Sequence, residues 1–214
     1  MGDKMKKNNS NKVKLIDIIL PNKRINFFII TVLILGVISG SLFLMMTTDA
    51  DKSSVINQIG SFFSNISTDS VDSGLAFKNS LIINYLFVFI IWSLGLSMIG
   101  VVINLFLTFL KGFLVGFSVG ALFLTYSYKG VLASVLYVFL GQIFNIGVVV
   151  VLTIYSVMFS LNLFKIITKG GNNRLMLKRY IVILMFCIII SFISSILEVY
   201  LFPSILKLVV KYYL

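Results

Sequence analysis

Long apolar stretches without a charged side chain constrain the fold of this chain more than any other feature. The first runs from residue 25 to 46, and two longer uncharged stretches follow at 79–110 and 130–164. An apolar run of about 18 or more residues is typical of a membrane-spanning helix. Only 12% of the residues are charged, whereas soluble domains contain about 25%. The sequence therefore excludes a soluble enzyme, a coiled coil and a disordered tail.

These stretches predict an all-α fold, a polytopic integral membrane helix bundle with about five transmembrane helices. We expect a basic cytoplasmic segment at 1–24 and a single transmembrane domain at 25–214, with an external loop at 47–79. The flanking charged residues place the spans at about 25–46, 80–102, 112–128, 132–158 and 181–202.

Basic residues determine the predicted orientation, because lysine and arginine collect in the cytoplasmic loops of membrane proteins. With the N-terminus inside and the C-terminus outside, 13 of the 18 basic residues are cytoplasmic and 5 are external. In this arrangement Lys111 lies in a cytoplasmic turn and Lys129 in an external one. The net charge of +11 is then explained by membrane topology. The expected partner is the lipid bilayer, and no nucleic acid is expected.

The external loop contains the pattern of an amphipathic helix. Its polar face is uncharged, and two interpretations are open. Either the helix packs along the bilayer or over the bundle, or its apolar face docks an extracytoplasmic partner. The apolar residues recur with the period of one helix face: Val55, Ile59, Phe62, Phe63 and Ile66.

Glycines repeat at intervals of four residues in two spans. Gly112, Gly116 and Gly120 share one face of the third span, and Gly36 and Gly40 form a shorter version in the first. Small residues at this spacing let two helix backbones approach closely. We expect these faces to pack helices within one monomer, with a homo-oligomer as the alternative.

The predicted spans contain few side chains capable of chemistry. The sequence has no His and one Cys, and after residue 72 its only acid is Glu198, for which Lys129 is the nearest predicted partner. Gln142 and Asn145 share one face of the fourth span. Such polar groups either make interhelical hydrogen bonds or line a solute path. Because catalysis and metal binding need clusters of His, Cys and carboxylates, we predict no enzyme activity, no metal and no cofactor.

Three segments of the sequence resemble the stage II sporulation protein M family. They are IWSLGLS at 91–97, FLKGFLVGF at 109–117 and EVYLFP at 198–203, and they occur in the order typical of that family. The basic N-terminus and the length also fit, and the resemblance covers nearly the whole chain. The sequence is therefore similar to integral membrane proteins of sporulation and engulfment.

The resemblance implies a multi-pass protein of the bacterial cell membrane, located in the mother-cell membrane during engulfment. It implies a scaffold of a peptidoglycan-remodelling complex that recruits two wall-degrading partners, stage II sporulation proteins D and P. A small-solute or ion transporter or channel subunit is the alternative, with Asn104, Gln142, Asn145 and Glu198 along its path. A packed interior favours the scaffold, and a polar cavity across the bilayer favours transport.

Labelling tests the predicted orientation. A Ser61→Cys variant should react with an impermeant thiol reagent on intact cells stripped of their wall, because the loop at 47–79 is expected outside. Tags at the N-terminus should be cytoplasmic, and tags at the C-terminus external. Reaction at position 61 only after lysis would contradict this orientation.

Overall fold

The computed structural model describes residues 23–67, 72–136, 141–169 and 174–204, and all regular structure within these ranges is helical. Six α-helices occur there, and one turn of π-helix, Leu197–Leu201, continues the last of them. The predicted all-α class is confirmed. The helices are α1 (Lys23–Met46), α2 (Asp49–Ser67), α3 (Ser73–Gly95), α4 (Gly100–Leu136), α5 (Ile143–Lys169) and α6 (Arg174–Ile196).

Five of the described helices are long and apolar enough to cross a membrane, which confirms the prediction of about five spans. The orientation of the termini stays a prediction, and residues 1–22, most of the predicted cytoplasmic segment, lie outside the described ranges. The spans have mean hydropathies from 1.7 to 2.8 and are Lys23–Met46, Ser73–Gly95, Gly100–Ser127, Ile143–Thr168 and Met176–Ser204.

The second and third spans begin earlier than predicted, because two lysines lie inside helices rather than at helix ends. α3 starts at Ser73 instead of 80, where the side chain of Asp72 caps its first turn, and Lys78 is exposed within it. α4 starts at Gly100 instead of 112. The placement of Lys111 in a cytoplasmic turn is therefore wrong, since Lys111 lies in the interior of α4.

The fourth and fifth spans are displaced as well. α5 begins at Ile143 instead of 132, because the preceding chain leaves regular helix geometry at Ser127, with φ 53° and ψ −134°. This conformation is rare for a residue with a Cβ atom. The fifth span begins at Met176 instead of 181, since Lys178 and Arg179 are exposed in its first turns. The break at Ser127 agrees with the predicted end of the third span at 128, but the uncharged stretch 130–164 contains no signal for the start of α5 at Ile143.

α1 and α4 form the most extensive helix contact of the bundle and run parallel. A Cβ atom on Gly36 would collide with the carbonyl oxygen of Phe109, and one on Gly116 with that of Val37. The Oγ of Ser41 donates a hydrogen bond of 2.8 Å to the carbonyl oxygen of Gly116. Contacts of this kind hold the two helices together, because burial of apolar surface does not drive helix association in lipid.

The other repeat glycines differ in how closely they are approached. A Cβ atom on Gly40 would meet the backbone of Phe113, and one on Gly112 the backbone of Leu33. Gly120 lies at the edge of the contact, where the nearest atom to an added Cβ is 3.4 Å away. Because α1 and α4 occupy this glycine face within one chain, it is not available for the alternative homo-oligomer.

α3, α5 and α6 pack around a second core, in which three aromatic rings stack. The ring of Tyr180 on α6 stacks on Phe159 of α5, with centroids 4.8 Å apart, and on Trp92 of α3, at 5.8 Å. The Tyr180 hydroxyl donates to the carbonyl oxygen of Trp92 at 2.8 Å. Gly95 leaves room for this hydroxyl, since an added Cβ atom would collide with it.

α2 packs against α4, and we call the end of the bundle that carries it the α2 end. Val55 and Ile59 are half-buried, which supports the interpretation of a helix packed over the bundle. The side chains of Phe62, Phe63 and Ile66 lie outside the part of the chain that the structure describes. The polar face of α2 is exposed, including Asn57, Gln58 and Ser61.

Gly116→Ala should destabilise the bundle, because the added methyl group meets the backbone of Val37 and can be accommodated only by separating α1 from α4. Overpacking of this kind costs about 1–3 kcal/mol. We expect a lower thermal unfolding midpoint for the purified protein in detergent. Gly120→Ala is the matched control and should leave the midpoint unchanged. Equal midpoints for the two variants would show that the helices are not held by backbone contact.

Candidate functional site

A row of polar side chains extends through the interior of the bundle, where α3, α4, α5 and α6 meet. We call it the polar seam. It extends from Gln142, directly before α5, to Ser160 on α5. These positions are 18 residues apart, or about 27 Å of helix, close to the ~30 Å hydrocarbon thickness of a bilayer. Its members are buried or half-buried: Ser80, Asn84, Asn104, Thr108, Lys111, Gln142, Thr153, Ser156, Ser160, Ser195 and Glu198.

The half of the seam that is remote from α2 joins α4 to α5 and α3. Nδ2 of Asn104 donates to the Oγ of Ser156 and, at 3.0 Å, to the carbonyl oxygen of Ile91. One turn further along, the hydroxyls of Thr108 and Thr153 lie 2.9 Å apart. The four side chains are fully buried. Their hydrogen bonds matter because a polar group without a partner is costly away from water.

The half of the seam near the α2 end contains two charged residues linked by an amide. Nζ of Lys111 donates to Oε1 of Gln142 at 3.2 Å, and Nε2 of Gln142 donates to Oε1 of Glu198 at 3.0 Å. The amide dipole therefore points its oxygen at the cation and its NH₂ group at the anion. Nζ of Lys111 also lies 5.7 Å from the ring centroid of Phe87, within the range of cation–π attraction.

The second carboxylate oxygen of Glu198 binds α3. The Oγ of Ser80 donates to it at 2.8 Å, and Nδ2 of Asn84 donates to Ser80 and to Ser195 at 3.3 and 2.9 Å. One carboxylate at the end of the fifth span thus holds α3 and α5, and through Gln142 it reaches α4. Charges inside a bilayer are found in such paired and hydrogen-bonded arrangements, facing the bundle interior.

Of the four polar residues predicted along a solute path, the structure places Asn104, Gln142 and Glu198 in the seam. Gln142 and Glu198 share a hydrogen bond, whereas Asn145 is buried with its Nδ2 atom unpartnered among the described residues. Lys111, instead of the predicted Lys129, is the basic residue linked to Glu198. The side chain of Lys129 lies outside the description.

The link between Lys111 and Glu198 was not predicted from the sequence, because a lysine between two apolar stretches was interpreted as the end of a span. A signal was present, since the uncharged stretch 79–110 has 32 residues and one span needs about 20. Predicting a turn inside that stretch, rather than at Lys111, would have placed Lys111 within the following helix.

The seam can supply hydrogen bonds and charge compensation. In the residues that the structure describes, no group of three His, Cys, Asp or Glu side chains could hold a metal ion. A cavity of about 250 Å³ lies between α5 and α6, beside the seam. Its lining is wholly apolar and consists of Ile143, Phe144, Gly147, Val148, Val151, Phe186, Cys187 and Ile190.

Five apolar helices, four of them joined by a polar seam, define a polytopic α-helical membrane protein. The family model of stage II sporulation protein M matches residues 28–203. The chain therefore belongs to this family of sporulation membrane proteins, which is not a known enzyme family, and the resemblance noted in its sequence is confirmed. The match includes Lys111, Gln142 and Glu198. Comparison with curated proteins and with solved structures gives no match.

The linked charges predict a compensation between two substitutions. Lys111→Met leaves Glu198 uncompensated and Glu198→Gln leaves Lys111 uncompensated, so each should cost up to about 3 kcal/mol. The double variant Lys111→Met/Glu198→Gln contains no uncompensated charge and should unfold at a higher temperature than either single variant. Thermal unfolding of the purified protein in detergent measures the three midpoints.

Lys165→Met is the control for loss of a positive charge, because Lys165 is exposed near the end of α5. Its midpoint should equal that of the parent. Additive losses in the double variant would mean that Lys111 and Glu198 do not compensate each other.

Proposed function

We propose that this protein is a membrane scaffold of the engulfment machinery in sporulation. It recruits or localises peptidoglycan-degrading partners, stage II sporulation proteins D and P, at the septal or engulfing mother-cell membrane. Membership of the stage II sporulation protein M family supports a role in sporulation, and the five apolar helices support a multi-pass membrane location. The protein performs no catalysis itself and needs no cofactor.

The observation that carries this proposal is the set of hydrogen bonds between helices in the bundle interior. Asn104, Thr108 and Gln142 each bond a neighbouring helix, and the cavity beside the seam is apolar. A solute path needs polar groups that can exchange their partners for the solute. Hydrogen bonds that join one helix to another support a structural role.

α2 offers the surface on which a partner would dock. Its half-buried residues Val55 and Ile59 lie on one face, and the exposed face carries the uncharged Asn57, Gln58 and Ser61. In the predicted orientation this face is external, on the side of the peptidoglycan. A partner would be recognised there by hydrogen bonds and shape, because that face carries no charge.

Crosslinking and co-purification from sporulating cells test the scaffold. The tagged full-length protein should recover stage II sporulation proteins D and P. Gln58→Arg, which places a charge on the exposed face of α2, should reduce recovery at unchanged abundance of the scaffold. Lys165→Ala, at the opposite end of the bundle, is the control and should recover both partners in full.

Two outcomes would contradict parts of this proposal. If neither partner is recovered with the parent protein, the scaffold role is wrong. If both partners are recovered equally with Gln58→Arg and Lys165→Ala, docking does not use the exposed face of α2.

The length of the polar seam favours one second candidate, a small-solute or ion transporter or channel subunit. The seam extends over about 27 Å and contains two charged residues, and intramembrane charges often mark ion paths. Flux assays on the parent and Glu198→Gln in reconstituted vesicles separate the two functions. Flux that depends on Glu198, together with no recovery of partners, would favour transport.

A further inference from the structure

Basic side chains collect at the end of the bundle that is remote from α2, which we call the basic end. α5 ends there, and α1 and α6 begin there. Ile25 of α1 packs against the cluster that contains Val157 of α5. Tyr180 of α6 stacks on Phe159 of α5. The exposed basic residues of this end are Lys23, Arg24, Lys165, Arg174, Lys178 and Arg179.

No acid balances this charge in the part of the chain that the structure describes. The described acids all lie at the α2 end, where Lys52 pairs with Asp49 at 3.5 Å; they are Asp49, Asp51, Asp72 and Glu198. An anionic ligand is therefore complementary to the basic end and not to the α2 end. Because the basic residues lie at the ends of membrane spans, the anion at their depth is the phosphate group of a phospholipid.

Arg179 connects the basic end with the apolar cavity between α5 and α6. Its exposed side chain lies in the second turn of α6. Phe186 and Ile190, seven and eleven residues further on, share its helix face and line the cavity. They lie about 10 and 16 Å from Arg179 along the helix. One leaflet of the ~30 Å hydrocarbon layer is about 15 Å thick, so an acyl chain with its headgroup at Arg179 reaches the cavity.

The cavity opens to the bilayer beside Gly147, and we call the opened cavity the groove. Phe144, Gly147 and Phe186 line it and are exposed. A Cβ atom on Gly147 would meet no described neighbour within 4 Å, whereas Gly36 and Gly116 are in contact with the backbone of a neighbouring helix. Helix packing within the chain therefore does not account for Gly147, and the space beside it can take an apolar ligand.

We propose that the groove between α5 and α6 binds one acyl chain of an anionic phospholipid, whose phosphate group is bound by Arg179. A guanidinium group can donate two parallel hydrogen bonds to phosphate oxygens, and Lys178 beside it adds positive charge. In the predicted orientation the lipid belongs to the cytoplasmic leaflet. The site is independent of the scaffold proposal, because it requires no protein partner.

Native mass spectrometry of the full-length protein in detergent tests the headgroup contact. The probes are phosphatidylglycerol and phosphatidylcholine with identical acyl chains, and the parent should retain phosphatidylglycerol more strongly. Arg179→Gln should lower the affinity for phosphatidylglycerol about fivefold, the factor for one basic residue at an anionic surface, and should affect phosphatidylcholine less. Lys78→Gln, at an exposed position of the α2 end, is the charge control and should bind both lipids like the parent.

Gly147→Leu tests the groove in the same experiment. The leucine side chain should fill the groove and abolish retention of both lipids, because the acyl chain is common to them. Gly60→Leu is the control for added bulk, since Gly60 on α2 also has open space around it, and it should retain lipid like the parent. If Gly147→Leu does not fold, Phe186→Ala removes one wall of the groove and should weaken the binding of both lipids.

Three results would overturn the site. Equal retention of the two lipids by the parent would show that the headgroup is not recognised. Equal losses in Arg179→Gln and Lys78→Gln would show that only the net charge matters. Lipid retention by a folded Gly147→Leu variant at the level of Gly60→Leu would show that the acyl chain does not lie in the groove.

Discussion

A lysine and a glutamate inside a membrane bundle must be compensated by the protein, because the surrounding lipid cannot solvate them. Lys111 lies in the interior of α4 and Glu198 near the end of the fifth span, and the amide of Gln142 connects them. Each contact fixes the position of one helix relative to another. Ser80 extends the arrangement to α3, so four of the five spans meet at this set of side chains.

The remaining span, α1, is attached by a different means. Its glycines let its backbone touch that of α4, and Ser41 adds a hydrogen bond to the backbone of Gly116. α4 therefore takes part in two kinds of contact, backbone packing on the side of α1 and polar side-chain bonding on the side of α5. Both kinds act in lipid, where burial of apolar surface gives no preference for one helix over another.

The two attachments have different consequences for function. The α1–α4 contact is made by backbone atoms and cannot change without separating the helices, so it suits a permanent part of a scaffold. The contact at Glu198 is made by side chains, through hydrogen bonds from Ser80 and Gln142. It lies at the α2 end of the bundle, where α2 presents an uncharged polar face.

The sequence by itself determined the helical membrane fold, the number of spans and the family, because apolar stretches of bilayer length and short ordered motifs are local properties of the chain. It also indicated the glycine faces, since a four-residue repeat marks one side of a helix. The position of Lys111 inside α4 was decided by tertiary structure. Lys111 lies inside a helix, and Gln142 and Glu198 from other parts of the chain compensate its charge. A prediction that considers only the residues next to a lysine in sequence cannot identify partners so far away along the chain.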